Sequence, residues 1–273
     1  MTESNILRQN RGQLPGELAV TGYSILGQRK SQQDFAGVLT DRDKVLAVLC
    51  DGMGGLKGGE RASKTAVTML MREFEKAGPE SRFADFLCRQ AVLMDTSVHA
   101  LTTADGEPLN AGTTVVAAVA SRDGQVEWMS VGDSRIYLLH GDTLTQLTRD
   151  HNYRCYLEDS LSRGKITREH YEKEVRGRMA EALTSYLGRG RLEQIGRSQN
   201  SLKLEPGDQL LLCSDGLYKS LNPHQIRAML TDNRVDVRVS GKRLTDMALA
   251  QAVKTQDNTT IVLIQYLGRK TEE

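Results

Sequence analysis

A chain of 273 residues, 39% hydrophobic and 26% charged, is long enough for one large domain or two small ones and has the balance of a globular protein with a real core. Its formal net charge of +1 gives no electrostatic reason to expect nucleic acid or an anionic membrane as a partner. No apolar run approaches the roughly 20 residues that cross a bilayer, and the polar start MTESNILRQNRGQLPGE lacks the apolar stretch of a signal peptide, so a cytoplasmic protein without membrane contact is expected.

Residues 1–17 read as a loose polar leader, and ELAVTGYSILG (17–27) as strand-like with glycines. KVLAVLC (44–50) is an apolar run of strand length, ending on Asp51 and a crowd of glycines. From Glu60 the period changes: Ala62, Ala66, Met69, Leu70 and Phe74 fall at helical spacing, and Gly78-Pro79 stops the helix. A second amphipathic helix is predicted over 82–103. Strands follow over 112–121 and 125–142, then over 208–216 and 259–268. Helices are predicted over 222–230, with Asn222 as N-cap and Pro223 in the first turn, and over 241–255. Regular strand–helix alternation is missing, which argues for antiparallel sheets with helices packed outside. Residues 151–200, polar and rich in Arg and Glu, read as an insertion over the core.

The cysteines, Cys50, Cys88, Cys155 and Cys213, make no C-x-x-C and read as reduced and structural. The five histidines form no H-x-x-x-H pair. Carboxylates, by contrast, recur in one setting. Asp51 and Asp215 end apolar runs, Asp257 immediately precedes one, Asp133 lies between two, and Asp34 lies just ahead of the first. Any one is an ordinary turn aspartate. Gathered together they would repel and take up protons, a conflict that a divalent cation removes. Hard oxygen donors without clustered His or Cys favour Mg²⁺ or Mn²⁺ over zinc. Glycines behind Asp51 would let the Gly52 carbonyl turn into the same site and leave room for a phosphate. Other readings of the glycine stretch fail on spacing: Lys57 stands where a dinucleotide fingerprint needs its third Gly, and Gly58 follows Lys57 where a Walker loop needs Ser or Thr. VGDSR leaves open a serine esterase using Ser134, although it is not G-x-S-x-G.

RKSQQD (29–34), DGMGG with GE and AS (51–63), GTT (112–114), VGDSR (131–135), LTRDHN (147–152), SDGL (214–217) and DNTT (257–260) occur in the order seen in metal-dependent protein phosphatases of the PPM, or PP2C-like, family, of bacterial type, which the chain resembles from about residue 18 to 267. The resemblance implies an α+β fold: a four-layer α/β/β/α sandwich of two antiparallel sheets flanked by helices. It implies a phosphatase domain over 18–268, a flap over about 151–200 and a short tail at 269–273. It implies a dinuclear Mn²⁺ or Mg²⁺ site with Asp51 bridging both ions, Gly52 giving its carbonyl to one, Asp215 and Asp257 completing the other, and Asp34 holding water. Asp133, with Asp215, would hold a third, weaker ion. Arg29 stands where the family places its phosphate-binding arginine.

The implied reaction is hydrolysis of phosphoserine and phosphothreonine in phosphoproteins by a metal-activated water. The implied partner is a protein substrate of a Ser/Thr kinase pathway, met by a monomer. Gln33 stands where some members have an acidic residue, and Met53 where eukaryotic members have a His proposed as general acid. The first of these departures leaves an alternative, a pseudophosphatase that binds phosphoproteins without turnover.

Overall fold

The computed structural model describes residues 5–10, 17–41, 43–53, 55–78, 82–232, 236–251 and 255–268. One sheet contains β1 (Ile6–Asn10), β3 (Asp34–Asp41), β4 (Lys44–Met53), β6 (Val115–Ser121) and β7 (Gln125–Val131) side by side. Short strands extend it: β5 (Gly112–Thr113) on β4, and β10 (Gly196–Arg197) and β11 (Leu202–Lys203) on β7. The other sheet has the order β2 (Leu18–Ile25), β13 (Thr259–Tyr266), β12 (Gln209–Cys213), β8 (Arg135–His140), β9 (Thr143–Gln146).

The alternate side chains of β4 explain why its sequence is continuously apolar. Val45, Ala47 and Leu49 meet Leu212, Val262 and Ile264 of the facing sheet. Leu46, Val48 and Cys50 point the other way, onto Ala66, Leu70 and Phe74 of α1 (Gly55–Lys76) and Leu87 and Met94 of α2 (Phe83–His99). Leu211, Cys213, Ile261 and Leu263 carry the outer face of the second sheet. They pack under α5 (Asp215–Tyr218), α6 (Pro223–Thr231) and α7 (Val237–Gln251). Three apolar layers between four structural layers give the α/β/β/α sandwich, and each fully buried leucine contributes about 2 kcal/mol to it.

Several elements depart from the sequence expectation. Residues 6–10, assigned to a polar leader, form an edge strand, β1, which runs parallel to β3 from Ile6 opposite Ala36 to Asn10 opposite Thr40. That pair is the parallel exception in sheets that are otherwise antiparallel among the described residues. It forms because β3 would otherwise present an open edge. The first helix begins at Gly55 rather than Glu60. The second ends at His99, and residues 100–111 run on as a loop. Asn222 caps α6 as expected, closing a reciprocal pair with Gln225. The tail at 269–273, Pro79 and residues 252–254 lie outside the described residues.

Between β9 and β10 the polar insertion folds as α3 (Tyr153–Ser162), α4 (Arg168–Glu174) and a tight turn at Arg178–Glu181. Its return segment is pinned to the body. Thr113 and Leu187 exchange backbone hydrogen bonds, and Leu187 is buried in the layer under α1 and α2. The buried carboxylate of Asp95 on α2 accepts from the backbone N–H of Gly188 (2.7 Å) and Gly190 (3.2 Å).

Candidate metal centre

The antiparallel course of the strands brings the aspartates to one end of the sandwich. β3 and β13 start there; β4, β7 and β12 finish there. They surround a cleft of about 670 Å³ lined by Asp51, Asp133, Asp215 and Asp257, with Gly52 and Arg29 among its other residues. Asp34 sits beneath it, buried, directly opposite Asp51 in the β3–β4 register.

β4 does not end on Asp51. It continues through Gly52 and Met53 because β5 pairs with both. This holds the Asp51 main chain on both sides: its N–H donates to Thr114 Oγ1 (3.0 Å), and its carbonyl accepts from Thr114 N (2.9 Å) and Thr113 Oγ1 (2.9 Å). The glycines now have a steric reason. A Cβ on Gly52 would lie 2.1 Å from the Gly59 carbonyl oxygen, and one on Gly59 would lie 2.7 Å from Gly52 C. The first turn of α1 thus crosses the strand at backbone contact, which is why the helix starts among glycines that the sequence reading excluded from it. On the same side, the Gln33 carbonyl accepts from Gly52 N (3.1 Å) and Ser63 Oγ (2.6 Å), while Gln33 N donates to Asn258 Oδ1 (2.8 Å).

Electrostatically the cleft is strained as a set of bare acids. Burial raises the Asp34 carboxyl to about 7, opposed by a hydrogen bond from Ser214 Oγ (2.7 Å) and reinforced by Asp215. Burial, then the charges of Asp34, Asp215, Asp133 and Asp257, hold Asp51 well above the usual carboxylate range. Asp133 is pushed up to about 6, by burial first and Asp215 next. Two side-chain cations offset part of this charge. Arg29 Nη2 lies 2.6 Å from Asp257 Oδ2, and Lys219 pairs with Asp215 one helical turn away. With the acids so engaged, no three His, Cys, Asp or Glu side chains among the described residues close on a single point as a finished ligand set.

The donor set nevertheless fits a divalent ion. The side chains are all hard oxygen ligands, in the class Mg²⁺ and Mn²⁺ select. Asp34 Oδ1 and Asp215 Oδ1 are buried with no hydrogen-bond partner, the state of an acceptor that lacks its cation. The raised proton affinities report the same deficit of positive charge.

All seven site residues read from the sequence stand in or under this cleft. Those that sequence reasoning missed are Lys219, Thr114, Ser214 and Asn258, and Glu181 with Leu183 from the insertion, which reach the cleft wall. Lys219 had a readable signal, the i,i+4 spacing from Asp215 in SDGLYK. Glu181 is steadied by Arg154 of α3 (2.6 Å). The serine esterase reading fails on position: Ser134 is 1% exposed and its hydroxyl is shared with Thr114 (2.7 Å) rather than a histidine. The buried His151 is structural, accepting from Gly132 N at Nδ1 (3.2 Å). The cysteines are all free.

Comparison with known proteins agrees with this geometry. The family model described as protein phosphatase 2C matches residues 21–254. The serine/threonine phosphatase stp of Listeria innocua is 28% identical over 241 residues, covering 87% of this chain and 91% of its own. The crystal structure of Stp1 from Staphylococcus aureus, a serine/threonine phosphatase, superposes with a TM-score of 0.73 at 26% identity, over 93% of this chain and 97% of that one. The catalytic domain of the phosphatase PstP, in complex with two manganese ions, superposes with a TM-score of 0.71 at 25% identity, over 92% and 99%.

Proposed function

This chain belongs to the protein phosphatase 2C family, and from that premise we propose that its acidic cleft hydrolyses phosphoserine and phosphothreonine esters of proteins with two Mn²⁺ or Mg²⁺ ions. The observation that carries the reading is the convergence of Asp51, Asp215 and Asp257 beside Arg29 in one cleft. Its relatives are named serine/threonine phosphatases, and the PstP structure holds manganese. The intact trio of aspartates supports turnover over the binding-only alternative. The finer expectations, a substrate phosphorylated by a Ser/Thr kinase and a monomeric enzyme, belong to the same proposal.

Asp51, the Gly52 carbonyl, Asp215 and Asp257 would hold the ions. Bound there, the ions acidify water and neutralise charge on the phosphoryl group. Asp34, fixed by Ser214, would orient water on the inner side of the cleft. Arg29 would leave Asp257 and present its planar fork to phosphate oxygens, a bidentate match that a lysine cannot make. The glycine crossing lets α1 meet β4 at backbone contact and so fixes Gly52, whose carbonyl would face the ions, at the wall of the cleft. Met53 cannot donate a proton, so the departing alkoxide would take one from water or from another group. Positioning and charge, rather than covalent chemistry by the protein, carry the step.

The test is turnover of a phosphothreonine peptide with Mn²⁺, with and without EDTA. Activity should vanish on chelation and return with excess metal. Hydrolysis surviving complete chelation, or full activity in Asp215→Asn, would overturn the reading.

A further inference from the structure

The resemblance implies a third, weaker ion held by Asp133 and Asp215, and the structure pairs a lysine with the second of these in the cleft that both line. Lys219 follows Asp215 by one turn of α5, and its ammonium is paired with the Asp215 carboxylate. It lines the same cleft as Asp133 and Asp51. We propose that Lys219 is a tethered cation that takes the place of the third metal ion, so that this site is built for two ions and not three. The inference rests on the dinuclear reading above.

Three observations support it. The first is connectivity: Lys219 is the C-cap residue of the short helix that Asp215 opens, so the i,i+4 pairing needs no long-range rearrangement. The second is placement: Lys219 lines the same cleft as Asp133 and Asp215, so its charge lies on the side where a third ion would enter. The third is the fixed position of the Asp133 loop. Tyr218 Oη donates to the Asp133 carbonyl (2.9 Å), and its ring lies under the Arg135 guanidinium, 3.5 Å from its centroid. Arg135 is locked in turn by a two-pronged pair with Asp150 (3.0 and 2.7 Å). The Asp133 main chain is therefore tied to the residue that precedes Lys219.

The positive charge of Lys219 raises the electrostatic cost of a further dication beside Asp215. It also leaves about half of the lysine side chain exposed at the cleft, where it can meet the outer oxygens of a phosphate. Asp133 is then a second-layer partner of Lys219 rather than a metal ligand.

The experiment is calorimetric and paramagnetic counting of Mn²⁺ on the metal-stripped, full chain, with wild type beside Lys219→Met and Lys219→Arg. Methionine keeps the stem and removes the charge without adding a ligand. About two ions per chain are expected for wild type and Lys219→Arg up to millimolar manganese, and about three for Lys219→Met. Three ions on wild type, or two on Lys219→Met, would overturn the tethered-cation proposal while leaving the dinuclear reading intact. No ion on wild type would overturn the dinuclear reading itself, and this inference with it.

Discussion

Asp34 and Asp51 stand directly opposite each other across β3 and β4, two carboxylates in register at the floor of the cleft. Among the described residues no side-chain cation pairs with either, whereas Asp257 and Asp215 each have one. Their position makes the metal-free protein sensitive to pH. Both carboxyls bind protons more tightly folded than unfolded, Asp34 at about 7 against an ordinary 3.8. Folding therefore takes up protons, and the stability these groups allow is present below about 4 and lost as pH rises through about 7. Thermal melts in EDTA should show Asp51→Asn more stable than wild type at pH 8, with the gap closing by pH 4. A constant gap would contradict the assignment.

Asp51→Asn should also remove catalysis, because one carboxylate is expected to touch both ions. A loss of at least about a thousandfold in kcat is expected in the phosphothreonine peptide assay. The same variant should bind manganese more weakly by calorimetry, which separates loss of metal from loss of fold.

Arg29→Lys keeps a charge but not the fork. Its kcat/KM for phosphopeptide should fall about tenfold to a hundredfold, with manganese stoichiometry unchanged. If lysine restores wild-type kinetics, Arg29 acts only as a partner of Asp257.

Gly59→Ala puts a methyl group into the backbone of Gly52. The crossing has no flexible side chain to yield, so a loss of about 3 kcal/mol or outright failure to fold is expected from denaturant titration. Gly78→Ala meets nothing within 4 Å and serves as the control.

Asp95→Ala leaves two glycine N–H groups at the base of the insertion without their acceptor. A loss of about 2 kcal/mol is expected, with faster proteolytic cleavage between residues 182 and 195. Activity with a small aryl phosphate should fall less than activity with a peptide.

The sequence carried the site because its aspartates sit where strands stop or start. An aspartate after VLAVLC, or before NTTIVLI, is visible from the apolar run alone. The same runs carried the layers, since strands covered on both faces lose their polar alternation. What stayed hidden depends on contacts made far along the chain. Nothing local marks Ile6–Asn10 as a strand; its pairing partners in β3 lie 30 residues on, as Ile6 opposite Ala36. Nor does GLKGGE read as helix, because glycine lowers helix propensity and only the approach to Gly52 repays it. Lys219 is legible through its i,i+4 spacing from Asp215. Glu181 and Leu183 are not, since an insertion's reach over a cleft has no periodicity to announce it.

The edge strand has a practical corollary. β1 covers the margin of β3, and Asn5, at its head, donates from Nδ2 to the Asp34 carbonyl (3.1 Å). A carrier protein fused ahead of Asn5 thus abuts the acidic basin. β13 leaves that basin at Thr259 and reaches Tyr266 about 25 Å away. Tags, labels and immobilisation chemistry belong after β13, at the far pole of the molecule.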